Sequence, residues 1–497
     1  MKNTRKTLTP AFLICLSILL QHPPFVKAAD VSFTFFAGGD TGYGGTYSAN
    51  LNMSAASHGV IQPAFFLQLG DIAYNGTSRG NPGYGNEGSW CSFVKAHVHE
   101  RLGNENYPYE LISGNHENTA TMSSDGFIGN STLSGFKTCL PNKIGTIHYA
   151  NEVPGTIPGA CNSSVQCYAY EYYFDYPQEN TIARFIGLSA NLTIRENGVA
   201  HKYNYCDAEC PTQSTSKMHL KWLNDTITGS QKAGYWAIVF FHKPCISVGN
   251  KACEGGGDLL DTLIKLRVDL VLTGHDHLYQ RSKQLTCRGP IKATSSQEAV
   301  YDPGCIADDG SDGVYLRGKG MVQVGAGHFG GGAFTPVTVG DSELDYFARA
   351  MGGSTSGSCC WKDGASWEVG AGSGLLKISV TQTGIIVEQL ITSLRKSVSS
   401  GDIFSDSFMI RNLETPLFVG ILPAIIASGA VLIIAVLVVL HLRARRRRKS
   451  DKTKQFQDSN LAHSKSLLPI SKLGLNCHLT SVDRVSYSRT QKVLRLW

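Results

Sequence analysis

The sequence predicts an α/β protein in which strands covered on both faces deliver polar side chains to one edge, followed by a single membrane-spanning helix and a cytoplasmic tail. Three observations predict it. Short apolar runs recur five times, each stopping at a small residue or directly at a histidine, so that Asp, Asn or His follows. Helix-like stretches lie between some of these runs, and a longer apolar stretch near the C-terminus runs straight into a block of arginines.

The chain opens with Lys2, Arg5 and Lys6, an apolar run from Ala11 to Leu20, and Val26-Lys27-Ala28. That is the three-part form of a secretory signal, so residues 1–28 are expected to be cleaved. The five runs follow. Phe33 to Phe36 precede Gly39-Asp40, Phe65 to Leu69 precede Gly70-Asp71, and Tyr109 to Ser113 precede Gly114-Asn115-His116-Glu117. Trp236 to Phe241 precede His242, and Asp269 to Thr273 precede Gly274-His275-Asp276-His277. Continuous apolar runs suit strands buried on both faces. His219 to Thr226 and Asp258 to Leu266 read as helices between strands, which places the polar cluster at the carboxyl ends of the strands.

The ectodomain spans residues 29–410, with no Pro- or Ser-rich linker dividing it, and 411–416 are juxtamembrane. Within the expected span 417–441, Leu417 to Leu440 is apolar and contains no charged residue, long enough to cross a hydrocarbon core of about 30 Å, and Arg443 to Lys449 follow at once. The positive-inside rule makes the basic side cytoplasmic, giving a single-pass type I protein. Residues 442–497 form a basic, Ser- and Lys-rich tail expected to be disordered.

The net charge of +6 comes from the ends of the chain. Residues 29–442 carry 27 basic and 36 acidic side chains, a net of about −9, which argues against a nucleic-acid partner. Of fourteen cysteines, all but Cys15 and Cys477 lie in the ectodomain, an even twelve, as expected where disulfides persist. Cys161 with Cys167, Cys206 with Cys210, Cys245 with Cys253, and Cys287 with Cys305 are close enough in sequence for local bridges. Sequons at Asn52, Asn75, Asn130, Asn162, Asn191 and Asn224 all lie before the membrane segment and none after it, as in a glycosylated exterior domain.

Asp, Asn, His and Tyr are donors that Fe, Zn or Mn accept, and no cysteine accompanies them. A pair of ions about 3.5–4 Å apart needs a shared carboxylate and can clamp both the attacking and leaving oxygens of an in-line displacement. Singly, each motif is weak; in this order, each after an apolar run, they point to one such centre.

The blocks Gly39-Asp40-Thr41-Gly42, Gly70-Asp71-Ile72-Ala73-Tyr74, Gly114-Asn115-His116-Glu117, Val239-Phe240-Phe241-His242 and Gly274-His275-Asp276-His277 resemble the five motifs of the purple acid phosphatases, within the calcineurin-like metallophosphoesterases. The likeness covers roughly Val31 to Gly332. It implies a four-layer αββα sandwich with two mixed sheets. It also implies a ferric ion on Asp40, Tyr74 and His277, a divalent ion (Fe, Zn or Mn) on Asn115, His242 and His275, and Asp71 bridging the two. Hydroxide generated on that pair would attack phosphorus in line, and His116 would protonate the leaving oxygen. Glu117 would orient His116 or its loop, or be a plain surface carboxylate.

One departure concerns the substrate. The family carries a further histidine after the fourth motif, whereas here His242 is followed by Lys243-Pro244-Cys245 and no histidine appears before His275. Lys243 or His328 could take its place, or both could be structural. The expectation is an acid phosphatase acting on a phosphorylated small molecule or phosphoprotein, at the cell exterior or in an endolysosomal lumen. A phosphodiesterase or nucleotide pyrophosphatase on the same metals, or a non-catalytic surface receptor, stands as the alternative. Oligomeric state is not legible.

Overall fold

The computed structural model describes residues 31–41, 56, 63–72, 92, 94–117, 137, 139–149, 167–196, 199–206, 214–293, 297–330, 335–338, 340–352, 360–362, 365–367, 371–394 and 403–413. The chain divides into two units, Met1–Leu413 and Glu414–Trp497. The expected signal, the membrane span 417–441, the tail and Tyr74 lie outside the described residues. No helix among the described residues is long and apolar enough to cross a membrane.

Two mixed sheets dominate the first unit. Among the described residues, seven strands form one and ten the other. In the seven-stranded sheet Ser32–Gly38, Phe66–Leu69 and Tyr109–Ile112 run parallel. The sheet continues through the antiparallel hairpin Gly372–Thr381 and Gly384–Leu394, and then Ser407–Arg411. In the ten-stranded sheet Ala183–Leu188, Trp236–Phe241, Leu270–Thr273 and Gln323–Ala326 run parallel, and antiparallel strands extend it on both sides. All five expected strands are present, three adjacent in one sheet and two adjacent in the other.

Their sequences explain their burial. Phe66–Leu69, Tyr109–Ile112, Trp236–Phe241 and Leu270–Thr273 are buried at every position, as strands covered on both faces must be. Between the sheets, rings from opposite sides interlock. Phe35 stacks on Phe65 at 4.9 Å and meets Phe185 edge-on at 5.0 Å, while Phe185 stacks on Phe174 at 4.9 Å. Each buried ring contributes about 2–3 kcal/mol from area alone, with about 1 kcal/mol more from ring geometry.

The helix Ser214–Lys232 packs against the strands Trp236–Phe241 and Ala183–Leu188. The helix Gly257–Lys265 buries Leu259, Leu260, Leu263 and Ile264 on one face, and Asp258 sits in its first turn, where the helix dipole favours an acid. The first contains the expected stretch His219 to Thr226, and the second covers Asp258 to Lys265 with Leu266 as its C-cap.

A buried ion pair fastens the sheets together near the end of the unit. Asp406 precedes Ser407–Arg411 in the seven-stranded sheet, and Arg281 lies in Tyr279–Ser282 of the ten-stranded one. Arg281 Nε donates to Asp406 Oδ2 at 2.7 Å and Nη2 to Oδ1 at 3.1 Å, while Tyr279 OH donates to Oδ2 at 2.6 Å. Trp236 Nε1 adds a second tie, donating to Thr381 O at 2.7 Å.

Two of the four local cysteine pairings are present as disulfides, Cys245–Cys253 and Cys287–Cys305. Cys161 and Cys210 lie outside the described residues.

Candidate metal centre

Every described donor singled out by sequence lies just beyond the carboxyl end of a strand: Asp40, Asp71 and Asn115 in the seven-stranded sheet, His242, His275 and His277 in the ten-stranded one. Where the strands stop, the backbone turns sharply. Asp40, Asp71 and His275 hold positive φ of 61°, 46° and 73°. Such values cost a non-glycine residue on the order of 1 kcal/mol and concentrate at functional sites.

The motif glycines have a steric cause. A Cβ on Gly114 would lie 2.1 Å from Asp71 Oδ1, and one on Gly70 would lie 2.6 Å from His242 Nδ1. A Cβ on Gly274 would lie 2.8 Å from Asp40 Oδ2. Only glycine lets these loops, within the seven-stranded sheet and across to the other, approach this closely.

The donors fall into two groups. His277 Nε2 lies 3.4 Å from Asp40 Oδ1, and the His275 backbone N–H donates to Asp40 Oδ2 at 2.9 Å. Beside them, His242 Nε2 is 3.2 Å from Asp71 Oδ2 and 3.0 Å from Asn115 Oδ1. His242 Nδ1 lies 2.8 Å from Leu69 O, which leaves Nε2 to face the centre. Asp71, His242 and His275 are buried and offer ligand atoms within 4.8 Å of one another. A buried carboxylate and imidazoles converging without Lys or Arg among them fit a divalent or trivalent cation. The residues therefore fit the implied metal pair, with the Asp71 carboxylate beside His242 and in one cluster with His275.

The electrostatics agree. Burial works against the charged form of Asp71, but His242, His116 and His275 outweigh it and hold its carboxyl well below the usual range. Burial likewise opposes protonation of His242, yet Asp71 and Asp40 push it up to about 9. For His275 burial prevails and brings it down to about 4.

His116 is at the mouth. Its side chain is 26% exposed, its Nε2 lies 3.7 Å from Asp71 Oδ2, and its backbone N–H donates to Asp71 Oδ1 at 2.9 Å. Glu117 is buried, not a surface carboxylate: Oε1 accepts from Ile72 N at 2.9 Å and Oε2 from Gly114 N at 2.8 Å. It clasps the Asp71 loop to the Asn115 loop. Asp276 is directed at Ser247 and the Gly249 turn, away from the donor cluster. His328 is buried, with Nε2 3.2 Å from Gln389 Nε2.

Sequence reasoning missed Gln68 and Glu254. Gln68 Nε2 donates to Gly70 O at 3.1 Å and its Oε1 accepts from Tyr109 OH at 2.9 Å, bracing the Asp71 turn. A polar residue inside an otherwise apolar strand was the available signal. Glu254 Oε1 lies 3.0 Å from His275 Nε2, and its Oε2 accepts from Lys243 Nζ at 2.7 Å. Nothing local marks it, since it follows Cys253 in a Gly-rich turn.

Residues 33–279 match the family described as calcineurin-like phosphoesterase. No curated protein matches the chain. Among solved structures, the chain is similar to the purple acid phosphatase PPD1 from yellow lupin (Lupinus luteus) seeds, at 15% identity and a TM-score of 0.46, over 78% of this chain and 55% of that one. This chain thus spans little more than half the length of the lupin protein. It is similar to GAP50, the anchor in the inner membrane complex of Plasmodium, at 13% identity and a TM-score of 0.39, over 77% of this chain and 90% of that one. It is similar to PhoD at 12% identity and a TM-score of 0.39, over 77% of this chain and 70% of that one. With two mixed sheets, the donor set at their strand ends and the match over residues 33–279, the chain carries a calcineurin-like metallophosphoesterase domain.

Proposed function

We propose that this chain is a metal-dependent acid phosphatase that hydrolyses phosphate monoesters. The observation that carries this reading is the meeting of Asp40, Asp71, Asn115, His242, His275 and His277 at one edge of two sheets. Asp40, Tyr74 and His277 would hold a ferric ion, Asn115, His242 and His275 would hold a divalent one, and Asp71 would serve both. Bound there, the ions supply Lewis acidity and a nucleophile available near neutral pH.

The chain's own side chains do the rest. His116, partly exposed beside Asp71, gives its proton to the leaving oxygen. Glu117 and Gln68 hold the Asn115 and Asp71 loops in register, so that the donors are positioned before substrate arrives. The four-layer αββα arrangement, cleavage of 1–28 and the anchor at 417–441 belong to the same reading. In that reading the signal and the anchor put the site at the cell exterior or in an endolysosomal lumen, where it acts on phosphorylated small molecules or phosphoproteins.

The test is hydrolysis of an aryl phosphate and a bis-aryl phosphate by the purified chain at acidic and neutral pH, with Asp71→Asn as control. Monoester turnover strongest in acid, lowered on the order of 10³-fold by the substitution, supports the proposal. Preference for the diester, or inactivity with both metals bound, sinks it.

A further inference from the structure

We infer that the end of the first unit at which the chain leaves it is a docking face for an anionic lipid surface, and that the metal centre is turned away from that surface. The inference rests on the membrane anchor proposed above and adds to it a second, electrostatic hold.

Strand directions put the exit and the metal centre at opposite ends. Gly372–Thr381 runs antiparallel to Ser32–Gly38, Gly384–Leu394 antiparallel to Gly372–Thr381, and Ser407–Arg411 antiparallel to Gly384–Leu394. The last strand therefore runs against Ser32–Gly38 and stops where that strand starts. Arg411 pairs with Gly384 and Asn412 N donates to Thr383 O at 3.0 Å, beside Thr381, which pairs with Ser32. The metal donors begin past the other end of Ser32–Gly38, a strand length of about 20 Å away. From Leu413 to Leu417 the chain reaches at most about 14 Å when fully extended. An anchor that begins at 417 thus keeps this end close to the bilayer.

The same end is basic, although residues 29–442 carry a net charge of about −9. Four turns are stitched together there. Arg317 N donates to Arg411 O at 2.8 Å, Arg317 Nη1 to Gly234 O at 3.3 Å, Arg267 Nη1 to Gly318 O at 2.8 Å, and Gln231 Nε2 to Leu266 O at 2.5 Å. These turns, 231–235, 265–269, 317–319 and 411–412, carry Lys232, Lys265, Arg267, Arg317, Lys319 and Arg411. Their one acid is Asp269, which is buried and paired with Arg317 at 3.2 Å. Lys232, Lys265, Arg267 and Lys319 are exposed, as is Leu413 at the exit. The next turn of the sheet, 177–181, adds one exposed acid, Glu179. Exposed cations around an apolar side chain suit anionic headgroups over an apolar layer.

The test is amine footprinting by acetylation of the full chain, reconstituted with its N-terminal part outward in vesicles of phosphatidylcholine alone or mixed with phosphatidylserine. Acetylation of Lys232, Lys265 and Lys319 is expected to slow about fivefold on the anionic vesicles. Lys221, on the exposed flank of the helix Ser214–Lys232, and Lys251, in the loop after His242, are expected to react alike on both. Arg267→Glu combined with Lys319→Glu is expected to abolish the slowing at Lys232 and Lys265 and to leave turnover of soluble aryl phosphate unchanged. Equal rates on both vesicles, or slowing at Lys251 instead, overturn the inference. So does protection of the three lysines by a soluble polyanion and not by the anionic vesicles, which would mark the face as a polysaccharide site. Extraction with alkaline carbonate separates this inference from the reading beneath it: a chain released from the vesicles refutes the anchor and the docking face together, whereas a retained chain with unslowed lysines refutes the docking face alone.

Discussion

The two sheets contribute opposite chemistry to one site. The seven-stranded sheet supplies oxygen donors, Asp40, Asp71 and Asn115, and the ten-stranded sheet supplies imidazoles, His242, His275 and His277. Each set is also held from across the gap by the other sheet. His242 leans on Leu69 O and His275 N on Asp40 Oδ2, so each sheet's donors are aimed by backbone or side chains of the other. Site geometry therefore depends on how the sheets dock, and that docking is secured some distance along the chain by Arg281 and Asp406.

The largest expected effect comes from breaking that docking. Asp406→Ala leaves Arg281 buried without its carboxylate and should cost about 3–5 kcal/mol, read as a fall in the denaturant midpoint. Replacing both partners by apolar residues should cost much less. If Asp406→Ala unfolds at the wild-type midpoint, the pair does not secure the sheets.

Gly114→Ala comes next and tests the contact between donors. The added methyl displaces Asp71 or its loop, and misplacement of about 1 Å costs on the order of 10² in rate. Aryl phosphate turnover should fall by that factor while the fold persists; wild-type turnover would mean the oxygen donors tolerate slack.

The pH dependence of stability is a smaller effect. Burial pushes Glu343 up from 4.5 to about 8, although Ala299 N and Ser247 N donate to it. The folded state thus keeps a proton that the unfolded chain releases above pH 4.5. Stability from this group is full below pH 4.5 and is lost as pH rises to about 8. Glu343→Gln should flatten the profile of unfolding midpoint across that window, and an unaltered slope would reject the assignment.

The smallest effect is expected at the surface. Lys221 and Asp225 pair four residues apart on the helix Ser214–Lys232, with both side chains mostly exposed. Lys221→Ala should change stability by no more than about 0.5 kcal/mol. A larger loss, measured by chemical denaturation, would mean the helix face is less solvated than its exposure indicates.

Much of the site is legible in the sequence because its causes are local. An apolar run of four to six residues makes a buried strand, and a glycine followed by Asp, Asn or His marks where it stops and what it presents. Glu117 shows the boundary: its place in the Asn115 block is plain, but whether it orients the loop or faces solvent depends on the packing of Ile72 and Gly114 around it. The likeness of residues 33–279 to a family of known fold also supplies what periodicity alone does not, the expectation of two sheets.

The amino-acid sequence by itself determined the five strands, the donor types at their ends and the acidic, cysteine-rich character of residues 29–410, because period, glycine requirement and charge act over a few residues. Tertiary structure alone decided which strands share a sheet, that Gln68 braces the Asp71 turn, that Glu254 reaches His275, and that Asp406 meets Arg281. Those contacts join residues from about twenty to more than a hundred positions apart, and chain closure over such distances leaves no periodic mark in the sequence.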